Sequence, residues 1–232
     1  PVQNGPAANG PPGARPPQQV LAPFRLTPDQ EREWDTNLIA WERQSGAIKT
    51  YKCEFTRWEY DTVFGPKNGP KVESSGELKY QGPDKGKFHV MKAFNYNPKT
   101  QKCDLKGEPG QLEYWVCDGQ SIYEVNGKEE TITERQLPPN LRGAAISDGP
   151  LPFVFGAKAA SLKQKYWMRE ITPPNVKDEL WLEAYPRVMS AAANFSKIEI
   201  ILGRKDLLPI AIQMYDPGQN NQNRTVFQFS KQ

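Results

Sequence analysis

The residues able to do covalent chemistry are few: one histidine, His89, and three cysteines, Cys53, Cys103 and Cys117. A thiol nucleophile needs a base beside it, and His89 is the one imidazole on offer. It lies between Phe88 and Val90 on the opposite parity of a strand-like run, so it is expected to face solvent while its neighbours face inward. These four residues are too scattered for metal-ligand spacing, with no CxxC or HxxxH. Nucleophile-elbow, P-loop and dinucleotide signatures are absent as well. Glu113, Asp118 and Asp148 could supply carboxylates for acid chemistry. Asp118 and Asp148 each precede a glycine, however, where a turn role is the simpler reading. The chain is therefore expected to be no enzyme and to use no metal or cofactor.

The cysteines admit two readings. Taken as one hairpin turning near Lys106 to Gly110, the chain sets Cys103 opposite Cys117, at about the 5 Å of a cross-strand pair and within disulfide reach. Such a bond would imply export. Alternatively all three thiols are reduced.

The elements that would position these groups follow from period and punctuation. The 232 residues are large enough for one core, and 30 basic against 27 acidic residues leave a net charge of +3. That balance argues against nucleic acid as a partner. The longest apolar stretch, Lys197 to Tyr215, is interrupted by Glu199, Arg204, Lys205 and Asp206, so no transmembrane segment is expected. Residues 1–26 are rich in Pro, Gly, Ala, Asn and Gln and read as a flexible linker. The sequence begins without Met, as a chain does once a leader is removed. The ordered domain is expected over 27–232. Thr27-Pro28-Asp29-Gln30 is a capping box with Pro at the first helical position. Trp34, Leu38 and Trp41 then form one apolar stripe on a helix ending near Gly46.

From Ile48 the period is two. Strands are expected at 48–60, 73–82, 86–97, 111–118, 121–126, 130–135, 165–172, 179–184, 196–202, 208–216 and 223–230. Turns at Gly82–Gly86, Asp118-Gly119, Asn126-Gly127 and Asp216–Gly218 separate several of them. Asp148 to Gly156 is apolar and Pro-punctuated, and Ala157 to Lys165 reads as a short helix with Ala159, Leu162 and Tyr166 on one face. The fold class is mainly β (α+β): a curved antiparallel sheet of about eleven strands, covered by an N-terminal and a mid-chain helix.

This order of features resembles the LolA-like fold of periplasmic lipoprotein carriers, and is most similar to uncharacterised planctomycetal proteins with LolA-like domains. The residues that carry the resemblance are Gly76-Glu-Leu-Lys-Tyr-Gln-Gly-Pro83, Val116-Cys-Asp-Gly119, Ser121 to Asn126, Pro150 to Tyr166, Leu180 to Pro186, Phe195 to Leu202 and Arg224 to Phe229. The resemblance implies an incomplete barrel around an apolar cavity, closed by a helical lid over 148–166 and open to the acyl chains of a lipoprotein. It also implies a periplasmic or otherwise exported protein. The carriers' lid-latching arginine is here Gly82; the cavity does not depend on it.

Alternation places Tyr51, Phe55, Leu78, Tyr80, Phe88, Val90, Trp115, Tyr123, Val125, Ile198 and Ile200 on converging strand faces. The lid segment adds Leu151, Phe153, Phe155 and Leu162. Together they are the expected ligand-binding set. Burying an acyl chain among them is favourable by about 0.8 kcal/mol per CH2, or roughly 10 kcal/mol for sixteen carbons before entropic costs. Lys158, Lys163, Lys165 and Arg169 cluster around the lid, as a solvated face or as contacts to an anionic head group. The expected partners are a lipidic or acylated ligand and a lipoprotein or membrane-protein donor or acceptor, with the protein itself a monomer. The alternative is a non-enzymatic interaction module with a filled core and an outer patch of Trp58, Tyr60 and Phe64.

Overall fold

In a computed structural model, residues 20–107, 110–137, 158–218 and 222–230 are described. Helix α1 (Pro28–Ala47) starts where the capping box predicts. The Gln30 amide donates to Thr27 Oγ1 at 3.3 Å, and the Thr27 amide donates to Gln30 Oε1 at 3.0 Å. Trp34, Leu38 and Trp41 are its buried stripe, with Ser45 beside them.

The strands are β1 (Thr50–Tyr60), β2 (Val72–Gln81), β3 (Lys85–Asn97), β4 (Lys102–Leu105), β5 (Tyr114–Cys117), β6 (Ser121–Asn126) and β7 (Thr131–Gln136). Helix α2 (Ala159–Lys165) precedes β8 (Tyr166–Glu170) and β9 (Glu179–Pro186). After a single turn of helix, α3 (Met189–Ala192), come β10 (Lys197–Gly203), β11 (Pro209–Tyr215) and β12 (Arg224–Ser230). They form one sheet of twelve strands, ordered β7-β6-β5-β3-β2-β1-β12-β11-β10-β9-β8, with β4 also on β3. The expected antiparallel architecture is present, with one strand more than alternation suggested. Two meanders, β1–β7 and β8–β12, are joined through the pairing of β1 with the last strand (Phe55↔Phe229, Arg57↔Phe227).

The extra strand, β4, overturns the expected hairpin. Strand β3 carries β2 along one side. On the other it carries β5 at its start (Gly86↔Cys117) and β4 at its end (Tyr96↔Cys103). Cys103 and Cys117 thus lie against opposite ends of β3, about 33 Å apart at ~3.3 Å per residue. No disulfide joins them: Cys53, Cys103 and Cys117 are all free thiols. Lys106 and Glu113, between β4 and β5, both lie beside β3. The Lys106 amide donates to Ala93 O (2.7 Å) and the Val90 amide to Glu113 O (2.9 Å).

Register assigns the faces. The inner face carries Cys53 and Phe55, Leu78 and Tyr80, Phe88 and Val90, and Phe227 and Phe229. Beyond β12 it continues with Ile212, Ile198 and Ile200, Leu180 and Leu182, and Tyr166 and Met168. These residues form one buried core with Trp34, Leu38 and Trp41 of α1. The sheet curls toward this face. Phe88 and Phe227 stand three strands apart, roughly 14 Å on a flat sheet, yet their ring centroids are 6.3 Å apart. Gly76 permits the curl. On β2 it pairs with Phe55 on one side and Val90 on the other, and beside it the Phe55 and Phe88 rings stack at 4.6 Å. A Cβ there would stand 2.0 Å from His89 O and 2.9 Å from Phe55 Cζ. The register shift between Ser75 and Gly76 sits at the same point.

Candidate functional site

A cavity of about 560 Å3 opens where α1 meets the edge strand β8. Tyr166 and Met168, alternate inner-face residues of β8, supply one wall, and Trp34 of α1 supplies another. Ala22, Phe24 and Leu26, just before the helix cap, close it further. The remaining lining side chains are Trp167 and a set of charges: Arg25, Glu31, Asp35, Lys163 and Arg187. An apolar interior with a few charged groups and this volume falls within the roughly 300–1,000 Å3 of small-molecule sites.

The walls are held by specific contacts. Residues 20–26, which composition assigns to the linker, lie against the domain. The Val20 amide donates to Arg187 O at 2.8 Å. The Phe24 ring meets Tyr185 edge-on at 6.0 Å, under the Arg169 guanidinium 4.5 Å from its centroid. Arg187 lies 3.6 Å above the Trp167 ring and donates from Nε to Tyr166 O at 2.9 Å. Burial holds the Arg187 guanidinium below its ordinary pKa. Helix α2 is fastened to α1 by Leu162, which is buried, and by two polar contacts. Lys163 Nζ donates to Asp35 Oδ1 at 2.6 Å, and the Ala159 amide donates to Glu42 Oε2 at 3.1 Å.

The residues expected from sequence to bind a ligand divide into groups. Phe55, Leu78, Tyr80, Phe88, Val90, Leu162, Ile198 and Ile200 are buried in the common core, and Tyr51 and Trp115 pack partly buried against it. None of them lines the 560 Å3 cavity. Tyr123 and Val125 pair with Val116 and Tyr114, while Trp115 pairs with Glu124. They therefore stand on the face opposite Phe88 and Trp115, a correction to their expected convergence. Their parity is alternate as read, but the phase of β6 against β5 is set by the Asp118–Gln120 turn. Leu151, Phe153, Phe155 and Asp148 lie outside the described residues. Of the basic cluster, Lys163 is paired with Asp35 and Arg169 with Glu183.

A second, more open depression of about 550 Å3 includes Tyr51, Tyr80 and Cys117 and is rimmed by Lys52, Lys79, Lys85 and Lys87. Glu77 pairs with three of these lysines. It is more open to solvent than the cavity by β8. The cavity by β8 was missed because its residues come from three places with no common motif. A signal was nonetheless present: the alternation Phe24-Arg25-Leu26 directly before the cap, and Tyr166-Trp167-Met168 after the lid helix.

The two buried cysteines do not face His89. His89 is on the outer face, its ring 4.8 Å from Tyr114, whereas Cys53 and Cys117 face inward. Burial pushes the Cys53 thiol up to about 11 and raises that of Cys117, so neither is a thiolate at neutral pH. Among the described residues, no three His, Cys, Asp or Glu side chains are grouped to hold a metal ion. No described helix is long and apolar enough to cross a membrane.

No protein-family model matches the chain. No curated protein matches it either. Solved structures similar to it include an uncharacterized conserved protein from Thermus thermophilus (8% identity, 88% of each chain covered, TM-score 0.44). Another is a putative outer membrane lipoprotein-sorting protein domain from Vibrio parahaemolyticus (10% identity, 86% of this chain and 91% of that one, TM-score 0.41). The LolA superfamily protein NE2245 from Nitrosomonas europaea is similar at 8% identity, 84% and 91% coverage and a TM-score of 0.35. LolA superfamily and lipoprotein-sorting domains are thus among the structures this chain is similar to.

Proposed function

We propose that the protein is a non-enzymatic carrier or sensor of lipidic ligands, and that it takes an acyl chain into the cavity between α1, β8 and residues 22–26. The observation that carries this reading is the cavity itself: about 560 Å3, walled by Leu26, Trp34, Tyr166 and Met168, with charged groups around it. Each methylene buried there contributes about 0.8 kcal/mol. The cations Arg25, Lys163 and Arg187 suit an anionic or polar head group left in water. The motif order set out from sequence supports the same reading. Under it the protein is exported, acts as a monomer, and exchanges its cargo with a lipoprotein or membrane-protein partner. Because α2 is fastened to α1 by Lys163–Asp35 and Glu42–Ala159, widening the cavity on that side requires breaking both contacts.

Two measurements test it: mass spectrometry of organic extracts from gently purified protein, and displacement of a fluorescent fatty acid. Leu26→Asp puts a carboxylate in the cavity wall from the segment before α1, and is expected to weaken fatty-acid binding by roughly tenfold or more. Absence of co-purifying lipid together with no binding by the native chain would refute the reading. So would a Leu26→Asp variant that binds as well as the native protein.

A further inference from the structure

At the end of β1, the β1–β2 loop holds two adjacent apolar side chains in water. Val63 is 66% exposed and Phe64 71%. This exposure is built in. Asp61 Oδ1 accepts from the amides of Val63 and Phe64, each at 2.9 Å, and Asp61 O accepts from Gly65 at 2.8 Å. Thr62 donates from both its amide and its hydroxyl to Asn223 Oδ1, each at 2.9 Å. The loop therefore cannot fold its tip back onto the protein without losing these bonds.

Cations surround the tip. Lys71 Nζ bonds Asp61 Oδ2 at 2.8 Å and lies 5.4 Å from the Phe64 centroid. Lys67 is exposed on the same loop. The β3–β4 turn leaves the same end of the sheet, tied to the loop by Tyr96 N–H donating to Lys71 O at 2.8 Å. It adds the exposed Lys99 and Lys102. The acidic groups there are Asp61, paired with Lys71, Glu59, paired with Arg57, the exposed Glu73, Asp104, which accepts from Asn97 at 2.8 Å, and Asp216 in the β11–β12 loop.

We propose that this loop end docks on an anionic lipid bilayer, with Val63 and Phe64 entering the acyl boundary and Lys67, Lys99 and Lys102 meeting the headgroup phosphates. Two side chains fall far short of the roughly 800 Å2 per partner of a stable protein interface. Membrane attachment, in contrast, needs only a small apolar insertion plus electrostatic attraction. An ammonium next to an aromatic ring is the arrangement in which the ring enters the interface while the charge stays at the phosphate level. The proposal goes beyond the ligand cavity and does not require it to be occupied.

The test is flotation of the full chain with vesicles of phosphatidylcholine alone or mixed with phosphatidylglycerol, at low and physiological salt. The native chain is expected to float with the anionic vesicles and to be released by salt. Val63→Asp with Phe64→Asp, and separately Lys67→Glu with Lys99→Glu, should each weaken binding by roughly tenfold or more. These residues are exposed, so an unchanged thermal melt checks that the variants fold. Leu26→Asp should float like the native chain, which separates failure here from failure of the cavity reading. The proposal is overturned if the native chain stays unbound to anionic vesicles, if it binds neutral ones equally well, or if the loop variants bind undiminished. A protein partner captured by the loop in the absence of vesicle binding would likewise overturn it.

Discussion

Gly76→Ala is the most informative single perturbation of the fold. The added Cβ would sit 2.0 Å from His89 O, 2.9 Å from His89 C and 2.9 Å from Phe55 Cζ. Two of those atoms are backbone of the neighbouring strand, so no rotamer change relieves the clash. Thus β2 and β3 must part, and the Phe55 ring must also shift from its stack with Phe88, whose centroid is 4.6 Å away. Overpacking of this kind costs about 1–3 kcal/mol. A lost aromatic pair adds about 0.5–1.5 kcal/mol. Restricting the unfolded chain returns about 0.4–1 kcal/mol. The expected net loss is about 2–3 kcal/mol, or roughly 5–10 °C in Tm for a chain of this length. Guanidinium unfolding measures it directly, with two controls. Gly69→Ala meets only Pro66 Cγ at 3.5 Å and Gly46→Ala meets nothing within 4 Å. The first should change stability by less than about 0.5 kcal/mol, and the second should gain slightly because Ala is the better helix residue. If Gly76→Ala is as stable as the native chain, Gly76 is not what lets the sheet curl. A double-mutant cycle with Phe88→Leu isolates the ring term: if stacking carries part of the loss, the two substitutions are non-additive.

Two further outcomes follow from the same structure. Non-reducing mass measurement and thiol titration should count three free thiols. Cys103, exposed, should react at once, while Cys53 and Cys117, buried, should react only on unfolding; a Cys103–Cys117 disulfide found by peptide mapping would show that β4 and β5 are misplaced. Asp61 is held at about 2, first by the hydrogen bond from Lys71 and then by the amides of Phe64 and Val63. Its folded value is below the unfolded one. Its contribution is therefore fully present above about pH 4 and lost as pH falls toward about 2. Thermal melts of Asp61→Asn and native protein should differ at pH 6 and converge near pH 2; a constant difference would refute the assignment.

Much of this molecule follows from local chemistry in the chain. The capping box sets the start of α1, and the 3.6-residue spacing of Trp34, Leu38 and Trp41 selects the face that is buried. The two-residue alternation of β1, β2 and β10 determines which of their side chains point inward. These features need only a residue's near neighbours, because helix and strand periods are properties of the backbone. Three others depended on the tertiary structure. The pairing of β1 with β12 joins segments whose mutual register no local pattern encodes. Strand β3 accepts both β4 and β5, since each is too short to cover its length, and this separates Cys103 from Cys117. The cavity exists because residues 22–26, the N-terminal half of α1 and an edge strand from far along the chain meet in space and leave volume unfilled. Sequence alternation tells which side chains leave water; how closely they then pack, and where a gap remains between them, is decided only when distant segments are brought together.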